Sequence, residues 1–254
     1  MTGSKDNSIR LWRYHDSLTC LAVFTGHNEN VASVCFAPKR SNFFVSASQD
    51  NTIKVWDITK FSQQEQEGLP AEINSAQMTV MGHQKYINVV RVSPNDKLIA
   101  SSSQDKTIKI WSSSDLLLQL TLAGHKKGVW DCAFSPVDKL LVSASGDKTV
   151  RIWNLTGQGS CICVLQGHMQ SLVKCAWLNA GLQVMSTAVD GVSKIWNVKK
   201  QACVATIQMH EEKIWGIDMC QDGKYVLTGG GDSSLKLWVD STVQKEQEDK
   251  EKQL

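Results

Sequence analysis

Apolar and polar residues alternate over short runs along most of the chain. Ile108 and Ile110 flank a basic residue, and Val150 and Ile152 do the same. Pro, Asp and Gly punctuate these runs, for example in residues 135–138. Alternation over four to seven residues between such turn signals predicts strands rather than helices. The pattern therefore predicts an all-β protein built from many short strands.

One motif, Asp-x-Ser/Thr-x-Lys/Arg-Val/Ile/Leu-Trp, recurs along the chain. Its six copies are Asp6–Trp12, Asp50–Trp56, Asp105–Trp111, Asp147–Trp153, Asp190–Trp196 and Asp232–Trp238. Only the fifth copy departs from the motif, because Val192 stands at the hydroxyl position. Successive Trp residues lie 44, 55, 42, 43 and 42 positions apart. A unit recurring at this spacing indicates a repeat architecture, in which about four strands of ordinary length fit each repeat.

Two further residue types follow the same period. A His precedes the Asp of each of the last five motif copies by 22 or 23 positions, at His27, His83, His125, His168 and His210. A residue with a side-chain hydroxyl stands four positions before the Asp of each motif copy, at Thr2, Ser46, Ser101, Ser143, Ser186 and Thr228. Four of the His residues follow a Gly.

These landmarks resemble the WD-repeat β-propeller family, whose blades are four-stranded sheets arranged around a channel. The resemblance covers residues 1 to about 240 and implies five nearly complete blades plus an outer half-blade. Residues 1–12 begin inside a repeat, and the last repeat is followed by a charged segment instead of an outer strand. We therefore expect part of a seven-bladed ring from a fragment or shortened product, with a six-bladed ring closed by the half-blade as the alternative. The charged tail at 241–254 favours a helix.

The resemblance also implies that each blade joins its imidazole, hydroxyl, carboxylate and indole in one hydrogen-bonded set. A buried Trp needs an acceptor for its N–H, since an unpaired buried donor costs roughly 1–3 kcal/mol. The expected structural tetrads are His27-Ser46-Asp50-Trp56, His83-Ser101-Asp105-Trp111, His125-Ser143-Asp147-Trp153, His168-Ser186-Asp190-Trp196 and His210-Thr228-Asp232-Trp238. A nucleophilic site of Ser, His and Asp is the competing interpretation. It is disfavoured because an enzyme needs one such site, and this chain repeats the set five times.

Composition narrows the remaining function classes. The formal net charge of +2 is too small to favour nucleic-acid binding by bulk electrostatics. The eight Cys residues include no Cys-x-x-Cys pair, which is typical of reduced thiols in an intracellular protein. No spacing suits a metal site, and no segment resembles a signal peptide or a membrane span. We expect no cofactor, no metal and no catalytic residue.

Residues just after the His positions are the candidates for binding partners. Trp130 and Trp215 each stand five residues past a His. The other candidates are Tyr86, Lys126, Lys127, Lys174 and Lys213. Exposed Trp is enriched in interface hot spots, although both Trp residues packing between blades is the alternative. The segment 61–77 lengthens one repeat and is expected to be a solvated loop, with partner docking as the alternative.

A narrower resemblance lies in residues 3–6, 93–98, 102–105, 210–216 and 228–238. These segments resemble the second propeller of the transducin beta-like tandem-propeller family of the small-subunit processome. This implies a non-catalytic interaction scaffold in ribosome biogenesis, located in the nucleus and nucleolus. The implied partners are other propeller and scaffold proteins, with small nucleolar RNA and precursor rRNA reached through them, and no membrane or small-molecule substrate. The alternatives are a generic WD-repeat adaptor, such as a ubiquitin-ligase substrate receptor or signalling β-subunit, and an enzyme using the channel mouth.

Overall fold

The computed structural model describes residues 1–14, 18–61, 69–178, 181–220 and 224–239. Within them the chain forms strands and one short 3-10 turn at Thr59–Phe61. No helix in these ranges is long and apolar enough to cross a membrane. The helix expected at 241–254 lies outside the described residues.

The strands follow one another with short connections. In chain order they are β1 (Thr2–Gly3), β2 (Ile9–Tyr14), β3 (Leu18–Phe24), β4 (Val31–Phe36), β5 (Phe43–Ser48), β6 (Thr52–Asp57), β7 (Ala71–Ile73), β8 (Met78–Met81), β9 (Ile87–Val92), β10 (Leu98–Ser103), β11 (Thr107–Ser112), β12 (Leu118–Ala123), β13 (Val129–Phe134), β14 (Leu140–Ser145), β15 (Thr149–Asn154), β16 (Ser160–Gln166), β17 (Leu172–Leu178), β18 (Gln183–Ala188), β19 (Val192–Asn197), β20 (Ala202–Gln208), β21 (Ile214–Met219), β22 (Tyr225–Gly230) and β23 (Leu235–Val239). They are grouped into six sheets.

The six sheets have a propeller arrangement. We number the sheets 1 to 6 in chain order. Sheets 2 to 5 are four-stranded antiparallel meanders, with strand orders β4-β5-β6-β8, β9-β10-β11-β12, β13-β14-β15-β16 and β17-β18-β19-β20. The first strands of successive sheets pack side by side: β4 on β9, β9 on β13, β13 on β17 and β17 on β21. These are the inner strands, and the third strand of each sheet ends with the repeated Trp. The predicted all-β propeller is confirmed.

The first and last sheets differ from the other four. Sheet 6 contains β21, β22 and β23 and has no outer strand among the described residues. Sheet 1 has full-length β2 and β3, but β1 contributes only two residues. This is the outer half-blade that the sequence predicts at the start of the chain. The seven-bladed ring stays a prediction.

The segment between β6 and β8 corrects one expectation. Residues 62–68 lie outside the described part, but Ala71–Ile73 is a strand rather than solvated loop. It pairs in parallel with β3 and gives sheet 1 a fourth strand. The backbone N–H of Thr25 donates to the carbonyl of Ile73 at 2.9 Å, which extends the pairing. The outer edge of sheet 1 is therefore covered by a segment from the following repeat.

The core lies between neighbouring sheets. The alternating residues Ile108, Ile110, Val150 and Ile152 are all fully buried, as the period-2 pattern predicts. One apolar cluster joins sheets 4 and 5 around Trp196, and another joins sheets 3 and 4 around Trp153. Each repeat therefore buries its apolar face only against its neighbours, and this makes the array cooperative.

Candidate interaction surface

A four-residue hydrogen-bonded set lies at the end of sheet 2 where the His loop and the Asp turn meet. The indole N–H of Trp56 donates to Ser46 Oγ at 2.8 Å, and Ser46 Oγ lies 2.7 Å from His27 Nε2. The other ring nitrogen, Nδ1, lies 2.9 Å from Asp50 Oδ2. One consistent assignment has the hydroxyl donating to Nε2 and Nδ1–H donating to the carboxylate. All of these polar groups are then satisfied inside the protein.

The same geometry occurs in three further sheets. The His Nδ1 to Asp distances are 2.8 Å at His83, 2.9 Å at His125 and 2.9 Å at His210. The hydroxyls of Ser101, Ser143 and Thr228 lie 2.7, 2.8 and 2.8 Å from His Nε2. The donating indoles are Trp111 at 2.9 Å, Trp153 at 2.8 Å and Trp238 at 2.9 Å.

The turn between the second and third strands positions the carboxylate. The residue after each motif Asp has a positive φ, between 62° and 76°, at Asn7, Asn51, Lys106, Lys148, Gly191 and Ser233. This left-handed turn leaves the Asp side chain free to accept from the residue two positions later. In sheet 2 the backbone N–H of Thr52 donates to Asp50 Oδ1 at 2.9 Å. The motif hydroxyl therefore holds one carboxylate oxygen while the His holds the other.

These contacts shift the acidity of the motif carboxylates. Burial alone would raise the pKa of Asp50, but hydrogen bonds from His27, Thr52 and the backbone of Asn28 outweigh it. The pKa of Asp50 is therefore held well below its usual range. The same opposition lowers the pKa of Asp105 and Asp147. The carboxylates act as fixed acceptors at neutral pH.

The arrangement is unsuited to nucleophilic catalysis. The hydroxyls of Ser46, Ser101 and Ser143 are fully buried, and each already accepts from a Trp indole. A catalytic Ser must instead face the substrate carbonyl. Among the described residues no group of three or more His, Cys, Asp or Glu side chains is placed to hold a metal ion.

The set of His168, Ser186, Asp190 and Trp196 departs from the expected tetrad. Trp196 donates to Ser186 at 2.8 Å, and Ser186 lies 2.8 Å from His168 Nε2. However, His168 Nδ1 is buried and has no hydrogen-bond partner among the described residues. Burial, with the nearby Lys194 charge, lowers the pKa of His168 to about 4. The prediction that this tetrad is complete is therefore wrong for the contact between His168 and Asp190.

Val192 accounts for this departure. In sheet 2 the hydroxyl of Thr52 lies 3.2 Å from His27 Nδ1 and donates to Asp50 Oδ1 at 2.6 Å. Val192 keeps only the backbone contact, in which its N–H donates to Asp190 Oδ1 at 3.2 Å. Without the hydroxyl, nothing holds the carboxylate against the ring.

The half-blade in sheet 1 keeps part of the set. The indole of Trp12 donates to Thr2 Oγ1 at 2.9 Å. Asp6 accepts from Arg10 at 3.1 Å instead of from a His. Hydrogen bonds from Ser8 are the main cause of the lowered pKa of Asp6.

The residue five positions past each His is the extra residue of a β-bulge. In β13 the pairing passes from Val129–Ser145 to Asp131–Ala144 and leaves Trp130 unpaired. The same shift in β21 leaves Trp215 unpaired. A bulge re-aims its side chain out of the regular pleat. At these positions Trp130 is 38% exposed and Trp215 is 61% exposed.

Lys213 joins these two indoles. Its Nζ lies 3.6 Å from the ring centroid of Trp215 and 5.7 Å from that of Trp130. Both distances are within the usual range for cation–π contacts. The structure thus brings together three of the predicted partner-binding residues, from sheets 4 and 6. We refer to Trp130, Lys213 and Trp215 as the tryptophan–lysine cluster.

The other predicted partner-binding residues are not all equivalent. Lys126, Lys127 and Tyr86 are exposed. Lys174 instead turns inward, with its Nζ 3.8 Å from Asp131 Oδ2 and a side chain only 22% exposed. Its charge is already opposed within the protein, which makes it a weaker candidate than the sequence suggests.

Asp131 is a buried charge that the sequence analysis does not single out. It is 1% exposed and accepts from Arg91 Nη2 at 3.3 Å and from the backbone N–H of Cys175 at 3.2 Å. With Lys174 it links the inner strands of sheets 3, 4 and 5. The available signal is an acidic residue in the middle of an otherwise apolar strand.

Comparison with known proteins agrees with this geometry. The model of the WD domain, G-beta repeat family matches residues 18–57, 74–112, 117–154, 159–197 and 201–239. The chain belongs to this family. The matched segments cover sheets 2 to 6 and strand β3 of sheet 1.

Several curated relatives match part of the chain. Transducin beta-like protein 3 of Bos taurus is 40% identical over 114 residues, covering 43% of this chain and 14% of the relative. U3 small nucleolar RNA-associated protein 13 of Saccharomyces cerevisiae is 36% identical over 118 residues, covering 44% and 14%. Cell division control protein 4 of the same yeast is 30% identical over 122 residues, covering 45% and 15%. The matches thus span about a seventh of the length of each relative.

Proposed function

We propose that this chain is a non-catalytic protein-interaction scaffold in ribosome biogenesis. It acts in the nucleolus, within the small-subunit processome, during processing of precursor small-subunit rRNA. The observation that carries this proposal is the 36–40% identity to Transducin beta-like protein 3 and U3 small nucleolar RNA-associated protein 13. The name of the yeast protein states an association with U3 small nucleolar RNA.

The internal hydrogen bonding of the repeats supports a scaffold role. The groups that could perform acid–base or nucleophilic chemistry, such as His125, Ser143 and Asp147, are engaged with one another and with a buried Trp. What remains available to a partner is the surface formed by the exposed bulge residues Trp130 and Trp215 and by the exposed residues of the His loops. Exposed Trp there is typical of the hot spots of protein interfaces.

The proposed partners are other propeller and scaffold proteins of the processome. Small nucleolar RNA and precursor rRNA are reached in the same assembly. The test is affinity purification of the tagged full chain from nuclear extract, followed by protein identification and RNA sequencing. Recovery of processome subunits with U3 RNA and precursor rRNA is expected. A fluorescent fusion should concentrate in nucleoli.

A matched variant sharpens this experiment. Lys126→Ala with Lys127→Ala removes two exposed charges next to His125, so folding should be unchanged. Reduced recovery of partners with an unchanged melting temperature would assign binding to this surface. Recovery of no processome component by the unmodified chain would refute the proposal.

A generic WD-repeat adaptor is the second candidate. It is favoured by the 30% identity to Cell division control protein 4. Recovery of ubiquitin-ligase or signalling subunits in place of processome subunits would support it. Turnover of a small substrate by the pure chain would instead favour an enzyme.

A further inference from the structure

We propose that the tryptophan–lysine cluster, together with Lys126 and Lys127, binds unpaired nucleotides of single-stranded RNA directly. The choice of RNA as the nucleic acid rests on the proposed function. The binding mode itself is argued from the geometry and charge of the cluster.

The cluster offers two flat apolar surfaces close to one ammonium group. Trp130 and Trp215 come from sheets 4 and 6, and Lys213 Nζ lies within 5.7 Å of both ring centroids. Two exposed indoles next to one ammonium group form an apolar patch, and contiguous exposed apolar patches mark interaction sites. Within the described part of the chain, neither indole N–H has a hydrogen-bond acceptor, so both can donate to a ligand.

The positive charge of Lys213 has no carboxylate partner in the described ranges. Among the described residues, no carboxylate lies within ion-pairing distance of Lys213, whereas Lys174 has Asp131. The carboxylate of the adjacent Glu212 lies at the turn containing Gly231, where a β-carbon would lie 2.8 Å from its Oε2. An anionic ligand would therefore complete the charge balance at Lys213.

Further basic groups continue from the cluster. A β-carbon built on Gly146 would lie 3.3 Å from Trp130 Nε1 and 3.5 Å from Lys127 Cβ, so these two side chains border the same turn. Lys126 then lines a cleft of about 470 Å³ that also contains Lys148 and Arg151. Asp147 in that cleft is already bonded to His125. The basic surface thus extends from the two indoles towards sheet 5.

Single-stranded nucleic acid matches both features at once. Its bases present flat faces that stack on aromatic side chains, and its phosphates are spaced along a backbone that Lys residues can follow. A base-paired duplex hides its base faces. An acidic peptide supplies the charge but leaves the indoles without flat partners. The combination of two exposed indoles with lysines therefore favours RNA that is not base-paired.

The experiment measures binding of a fluorescein-labelled oligouridylate of about 12 nucleotides, a length within the usual site size. Fluorescence anisotropy is recorded with the purified full chain at several salt concentrations. The single strand should bind, and its duplex with oligoadenylate should bind more weakly. Trp215→Leu should weaken binding about 5- to 150-fold. Lys213→Gln should reduce the slope of log K against log salt by about 0.7.

Two variants serve as controls. Tyr14→Ala removes an aromatic side chain that is 89% exposed at the far end of β2 from the Asp6 turn. Lys200→Gln removes an exposed charge from the turn after β19, at the opposite end from Asp190. Both should bind the oligonucleotide like the unmodified chain. Thermal unfolding of every variant separates lost binding from lost folding.

Three results would overturn the proposal: no binding of the single strand, equal binding of the duplex, or full binding by the folded Trp215→Leu variant. A glutamate-rich peptide that competes as well as the RNA would assign the surface to acidic proteins and would also overturn it. Recovery of processome proteins from extract alongside any of these results would leave the proposed function standing.

Discussion

Within the part of the chain that the structure describes, His168 Nδ1 is buried without a partner, although Asp190 stands at the chain position from which four other aspartates bond their histidines. The carboxylate is already anchored, because Asp190 Oδ1 accepts from the backbone of Val192 as in the other turns. The missing group is the hydroxyl of the motif. Sheet 5 therefore contains a buried polar atom that one side chain would satisfy.

Val192→Thr should stabilise the protein. The new hydroxyl would donate to Asp190 Oδ1 and bring the carboxylate against His168, as Thr52 does for Asp50 and His27. Satisfying a buried polar atom is worth about 1 kcal/mol in the free energy of unfolding. Urea unfolding at pH 7 measures it. Val204→Thr, at a position 58% exposed in the same sheet, is the control and should change stability by less than about 0.5 kcal/mol. Equal effects of the two substitutions would contradict the account.

The lowered pKa of His168 predicts that the free energy of unfolding depends on pH. The pKa of His168 is lowered to about 4 in the folded chain, from an ordinary value of 6.5. The unfolded chain therefore takes up this proton at a higher pH than the folded chain does. The free energy of unfolding should fall as the pH decreases from about 6.5 to about 4, and this residue should add nothing further below that.

Comparison with Val192→Thr isolates this contribution. In this variant the Asp190 carboxylate would lie against His168 and favour the protonated ring. The pKa of His168 in the folded state would therefore rise. The stability advantage of the variant should therefore grow between pH 6.5 and pH 4. The lowered pKa of Asp50 affects stability in a different pH range, because the stability that Asp50 contributes is lost only as the pH falls below about 4. Parallel stability curves for the two proteins would exclude the assignment to His168.

Much of the fold can be predicted from the sequence because each repeat contains its own set of local signals for strands and turns. Val150 and Ile152 show the alternation, Asp147 marks the turn, and Trp153 marks the buried strand. Each of these signals is local, and their recurrence at one period fixes the array. The fit between local pattern and overall architecture is typical of repeat proteins.

The sequence does not indicate features that depend on backbone irregularity or on distant pairing. Trp130 is the unpaired residue of a bulge in β13, and simple alternation does not locate bulges. The strand at Ala71–Ile73 forms because β3 offers a free edge, and nothing within the segment marks it as a strand. The contact of Asp131 with Arg91 joins residues 40 positions apart. Such contacts become visible only when the sheets are assembled.

Asp131→Asn should destabilise the protein without changing its shape. The substitution leaves the Arg91 and Lys174 charges facing each other without a carboxylate. Removing one partner of a fully buried pair typically costs roughly 3–5 kcal/mol. The side chains of Arg91 and Lys174 are 34% and 22% exposed, so we expect a smaller loss, about 1–3 kcal/mol.

A double-mutant cycle with Arg91→Gln tests whether the loss comes from this pair. Arg91→Gln combined with Asp131→Asn should cost less than the sum of the single changes, since the first substitution removes the charge that the second leaves unpaired. Urea unfolding of the four proteins gives the coupling energy. Strict additivity would show that the two residues do not stabilise each other.

Replacing two Trp residues of sheet 4 should destabilise the protein to very different degrees. Trp153 is 2% exposed, fills the core between sheets 3 and 4, and donates to Ser143. Trp153→Ala should therefore cost about 3–5 kcal/mol by leaving a cavity. Trp130→Ala removes the same side chain from a bulge where it is 38% exposed, so the free energy of unfolding should fall by less than about 1 kcal/mol.

Thermal and urea unfolding of both variants provide the measurement. The pair controls for the loss of an indole as such, because only its surroundings differ. An unchanged melting temperature for Trp153→Ala would refute the internal role of the His, hydroxyl, Asp and Trp sets. A large loss for Trp130→Ala would mean that this side chain stabilises the fold rather than remaining available for a partner.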